Sequence, residues 1–171
     1  MRLKLISKSQ WSFLRYNSLI VLQHKYEEIE SFHMVQIQAS IDIDAPIEKV
    51  WNIVSDLDSE PRFWRGTKEA RNISKDGNTI IREVTIAFKD SKCMQTVTLY
   101  PKEKIQVQFT KGIIQGSKTI TLLPLENKTR LEALWDMKLT GMMGMFTGMI
   151  KKHIQSGTEQ ALQSIKQEAQ R

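Results

Sequence analysis

The chain has 171 residues, of which 40% are hydrophobic and 26% charged, and a formal net charge of +6. That length suits one domain with a real core, and the composition is that of an ordinary soluble protein, which makes disorder and coiled coil poor readings. The basic residues are scattered among acidic ones without forming a stripe, so an anionic surface is permitted but no nucleic-acid partner is expected.

Residues 1–34 read as an N-terminal extension. Arg2, Lys4 and Lys8 precede an apolar run from Trp11 to Leu22, but Arg15 and Asn17 break the run and no small-residue cleavage site follows, which argues against a secretory signal. Two readings stand. One is an amphipathic helix that packs on the domain or makes peripheral membrane contact through residues 1–33; the other is an extension whose removal leaves the fold intact. Met34 is a candidate natural start, because ordered patterning begins at the next residue.

From Val35 the period becomes clear. Val35, Ile37, Ala39, Ile41 and Ile43 alternate with Gln36, Gln38, Ser40, Asp42 and Asp44, the pattern of a strand with one buried face. Asp44-Ala-Pro46 ends it and opens a short helix over 46–56, with Ile47, Val50, Trp51 and Val54 on one face. Residues 56–61 read as a turn. Strands are predicted over about 67–74, 78–89, 91–100, 103–111, 115–125 and 128–139, joined by links short enough to force antiparallel neighbours. A long closing helix is predicted from Met142, with Met142, Phe146, Met149, Ile150, Ile154, Ala161, Leu162, Ile165 and Ala169 at helical spacing.

A sheet of about seven strands needs its apolar face covered, and only the closing helix is long enough to cover it. The sheet should curl around that helix and leave a cavity. Five of the eight methionines lie between positions 137 and 149. Met142, Met145, Phe146 and Met149 either fill an awkward core or form an adaptable apolar wall at a pocket mouth. Leu131, Ala133, Trp135, Met137 and Leu139 share one face of the last strand. Arg82 stands among Ile80, Val84, Ile86 and Phe88: it is either a solvent-facing strand-end residue or a buried cation that needs an anion, a carboxylate or a ligand oxygen. The candidate ligand-binding residues are therefore Trp64, Arg82, Val84, Trp135, Met137, Met142, Met145, Phe146, Met149, Ile150 and His153.

The series Ala39, Ile41, Ile43, Asp44, Ala45, Pro46, Val50, Trp51, Val54 and Asp56, followed by Pro61 and Trp64, resembles the opening of the START-like helix-grip superfamily, SRPBCC. This group includes polyketide cyclases and aromatases, coenzyme-Q-binding proteins and plant proteins of the birch-allergen type. The resemblance spans residue 35 to about 168 and implies an α+β helix-grip fold, a curved antiparallel sheet around a long C-terminal helix, with a cavity commonly used for lipids, isoprenoid quinones, polyketides or sterols. Ala45, Pro46, Val50 and Trp51 are architectural in that family, and Trp64 falls where the second short helix borders the cavity. No catalytic constellation carries over.

Other chemistry is thinly represented. The single cysteine, Cys93, reads as a strand-core thiol; disulfides within the chain are impossible and a reducing cytoplasm fits best. His24, His33 and His153 give no zinc spacing with it, so neither metal nor cofactor is expected. No phosphate-binding glycine loop or nucleophile elbow is present. Glu83, Arg82, Glu132, Asp136 and His153 are the candidates for proton transfer. Three functions remain: binding or transport of a hydrophobic small molecule, favoured here and not enzymatic; a polyketide cyclase/aromatase-like enzyme; and a protein-interaction module with a collapsed cavity. The ligand and the oligomeric state are left open.

Overall fold

The alternation at the start of the ordered pattern forms strand β1, Met34–Ile43. The computed structural model describes residues 34–139 and 147–171; the extension 1–33 and the expected wall residues Met142, Met145 and Phe146 lie outside the described residues. After β1, the Ala45 N–H donates to the Ile43 carbonyl at 2.8 Å and turns the chain. Pro46 then caps α1, Ile47–Val54, from an extended conformation. Its missing N–H costs nothing there, because the first amides of a helix have no partner within the helix.

The expected turn at 56–61 is more ordered than its composition suggests. It contains a 3-10 turn, Leu57–Ser59, and a four-residue helix, α2, Glu60–Phe63, with Pro61 in its first turn. One turn of helix is too short to show a period, so only the proline marks it. The next six strands are β2 (Thr67–Asp76), β3 (Thr79–Ile86), β4 (Ser91–Tyr100), β5 (Lys104–Lys111), β6 (Ile114–Leu125) and β7 (Lys128–Leu139). β3 stops three residues before the expected boundary because Lys89 and Asp90 take left-handed backbone angles, φ 54° and 51°, to turn into β4.

The seven strands form one antiparallel sheet in the order β1-β7-β6-β5-β4-β3-β2. Gly116 allows a close approach between two of them. Its φ is +111°, and a Cβ there would lie 2.7 Å from the Met137 Cα of β7 and closer still to the Asp136 carbonyl oxygen. Only glycine satisfies both conditions without a shift.

The sheet curls around α3, Thr147–Ala169. Ile150, Thr158, Ala161, Leu162, Ile165 and Ala169 form the helix's buried stripe against a core that includes Val35, Ile37, Val97, Ile120, Leu131 and Met137. Lys166 Nζ donates to the Asp42 carbonyl at 2.8 Å and Gln170 donates to the Asp44 carboxylate at 3.0 Å, tying the end of α3 to the end of β1. Among the described residues no helix is long and apolar enough to cross a membrane.

Candidate functional site

Strand register places two unusual side chains on the concave face. Ile80, Val97, Val107, Lys118 and Trp135 lie in one row across β3 to β7, and Arg82, Gln95, Phe109, Gly116 and Met137 lie in the next. Because alternate strand residues point to the same face, Arg82 and Lys118 are carried inward with their aliphatic neighbours. They are 0% and 3% exposed. Buried cations on this scale need a counter-ion, and the short helix α2 supplies it.

Glu60, the first residue of α2, places one carboxylate oxygen on the Arg82 guanidinium and the other 2.5 Å from Lys118 Nζ. Arg82 Nε also donates to Gln95 Oε1 at 2.8 Å, and its Nη1 approaches the Leu57 carbonyl at 3.4 Å. Lys118 Nζ lies 4.2 Å from the Trp64 ring centre and 5.1 Å from that of Trp135, so two electron-rich faces flank the ammonium. Trp64 meets Trp135 edge-on at 5.9 Å, and Trp135 stacks on Phe109 at 6.2 Å. Trp135 Nε1 donates to Thr158 Oγ1 at 3.1 Å, which fixes the indole against α3.

The charges tune one another. Burial pushes the Glu60 carboxyl up, but Lys118 and Arg82 outweigh it and hold the group down at about 2. Burial lowers Lys118, Glu60 works against that, and Arg82 adds to the lowering. Two cations therefore share one carboxylate in a poorly solvated place. Beside them is a cavity of about 20 Å³, room for one water-sized group. It is lined by Glu60, Trp64, Arg82 and Lys118 together with Val54, Leu57, Ile105, Val107, Ile120 and Ile165.

The residues singled out from sequence are distributed unevenly around this cavity. Trp64 and Arg82 line it, and Trp135 packs on Trp64 and faces Lys118. Arg82 is thus the buried cation with a carboxylate partner, not a solvent-facing strand end. Val84, Met137 and Ile150 are core residues outside the lining. Met149 is 66% exposed, and His153 is exposed as well. Their spacing of four does give them a common helix face, but it lies one position, about 100°, off the buried stripe that begins at Ile150. Cys93 is a buried free thiol in the strand core. Among the described residues no group of His, Cys, Asp and Glu is placed to hold a metal ion.

Lys118 and Glu60 were not among the sequence candidates. Lys118 had a usable signal, since Ile114, Gly116, Lys118, Ile120 and Leu122 alternate on an inner face just as Ile80, Arg82 and Val84 do. Glu60 had none, because it sits in a polar turn where a carboxylate is unremarked.

The family described as polyketide cyclase / dehydrase and lipid transport matches residues 34–170. No curated protein sequence matches the chain. Among solved structures, a protein from Thermus thermophilus shares 16% identity and a TM-score of 0.69, over 79% of this chain and 97% of that one. The Zhui aromatase/cyclase from a Streptomyces species shares 15% identity and a TM-score of 0.67, over 81% of this chain and 95% of that one. A START superfamily protein from Mycobacterium smegmatis shares 17% identity and a TM-score of 0.57, over 77% of this chain and 99% of that one. At these identities the structural likenesses speak for the fold, a helix grip, and the match over residues 34–170 shows that the chain belongs to the polyketide cyclase / dehydrase and lipid transport family.

Proposed function

We propose that the domain binds a hydrophobic, carbonyl-bearing small molecule in the cavity beside Lys118 and promotes ring closure in the manner of a polyketide cyclase. The observation that carries this reading is the buried Lys118 ammonium, held between the faces of Trp64 and Trp135 and paired to Glu60. A carbonyl oxygen placed on that ammonium is polarised, so a water molecule can take its α-proton while the ammonium stabilises the enolate; the enolate carbon then adds to a second carbonyl of the same ligand, whose oxygen regains a proton as a hydroxyl. Flat conjugated rings suit the indole and phenyl faces around it. A plain carrier of alkyl chains would use the apolar wall of Val54, Ile105, Val107 and Ile120 but gives no role to three ionised side chains. The likeness in fold to the Zhui aromatase/cyclase supports the same choice.

Because the cavity accommodates a single water-sized group, a ligand body enters only as the lining side chains rearrange. The test is ring closure of a synthetic linear triketone, followed by absorbance and mass spectrometry with the full chain. Wild type is expected to accelerate closure, and Lys118→Met to lose roughly 100-fold or more of that acceleration, the usual effect of removing one oxyanion donor. Triketone binding with no acceleration by wild type would leave a carrier and refute the enzymatic reading.

A further inference from the structure

The cluster is unbalanced in a way that specifies a ligand. Arg82 and Lys118 contribute two positive charges and Glu60 one negative charge, all from side chains no more than 9% exposed. Gln95 and the Leu57 carbonyl offer Arg82 partial charge only. An ammonium has three donors. For Lys118, one is met by Glu60 Oε1, and among the described residues the rest face the π faces of Trp64 and Trp135, which are weaker acceptors than an oxygen. The adjoining cavity has room for an oxygen-sized group.

We propose that this cavity selects ligands carrying a free carboxylate, which lies beside Glu60, takes one of the two remaining donors of Lys118, leaves the other to a substrate carbonyl and sets the ligand's apolar body against Trp64. The proposal rests on the preceding reading that a hydrophobic small molecule occupies the cavity, and it adds which chemical class is preferred. One monoanion brings the buried charge to two positive and two negative. A neutral ketone or ester supplies an acceptor but leaves the excess charge, whereas a phosphate dianion overshoots it. Displacing Glu60 would restore the original imbalance, so the incoming carboxylate joins Glu60 and does not replace it.

The experiment compares 2-naphthoate with methyl 2-naphthoate at pH 7, using quenching of tryptophan fluorescence and calorimetry on the full chain. The acid is expected to bind about tenfold or more tighter than its ester, the scale of a hydrogen bond to a charged group. In Lys118→Met, checked for folding by circular dichroism, the ratio is expected to fall to near one, while Lys118→Arg retains part of it. Equal binding of acid and ester to wild type overturns the selection for carboxylates and leaves hydrophobic binding standing. Binding of neither probe counts against both readings. A full acid preference in folded Lys118→Met overturns the assignment to Lys118.

Discussion

Glu60→Gln removes the carboxylate shared by Arg82 and Lys118 while keeping the side chain's shape. Breaking a buried ion pair by deleting one partner costs about 3–5 kcal/mol, because the remaining charge stays buried without compensation. An independent figure comes from protonation. The fall of the Glu60 pKa from an ordinary 4.5 to about 2 corresponds to roughly 3 kcal/mol of stabilisation of its ionised form. Since the folded value lies below the unfolded one, that stabilisation is complete above pH 4.5 and is lost as pH falls through about 2. Urea denaturation of the full chain, followed by circular dichroism, is expected to show Glu60→Gln less stable by about 3 kcal/mol at pH 7, with the gap closing toward pH 2. A difference below about 1 kcal/mol at pH 7, or one that is independent of pH, would refute the claim that Glu60 is the counter-ion of this core.

Lys118→Met takes away the excess positive charge and leaves the Arg82–Glu60 pair intact, so its stability is expected to be within about 1 kcal/mol of wild type or greater. A loss above about 3 kcal/mol in the same denaturation series would make Lys118 a structural residue first. Gly116→Ala drives a Cβ into the Asp136 carbonyl and to 2.7 Å from the Met137 Cα, at a φ of +111°. It is expected to lower the melting temperature by several degrees, on the order of 2 kcal/mol or more; an unchanged melting temperature would show that β6 and β7 can separate there at little cost.

The parts of the fold legible in the sequence are those governed by one face and one period. The alternation of Val35 to Ile43 and of Leu131 to Met137 marked strands and their inner faces, and the Ile154 to Ala169 spacing marked the helix they grip. Arg82 could be placed by register but not resolved, because its partner is 22 residues away in the chain and on a different element. That distance also explains why the site as a whole was not visible. Lys118 and Glu60 are 58 residues apart and meet only after β6 joins the sheet and α2 folds over its concave face. Helical spacing from Met142 and Phe146 assigns Met149 to the apolar stripe, yet it stands in solvent, because it lies one position, about 100°, from the stripe that Ile150 begins. A lysine inside an inner-face alternation, as in Ile114 to Leu122, is the signal most worth weighing in a related sequence.

Whether the buried charges form the ligand site is tested most directly by a crystal structure of the full chain with 2-naphthoate bound. The expected result is a carboxylate oxygen about 3 Å from Lys118 Nζ, with Glu60 still paired and the naphthalene ring against Trp64 or Trp135. A naphthoate seated elsewhere, with Lys118, Glu60 and both indoles undisturbed, would contradict it.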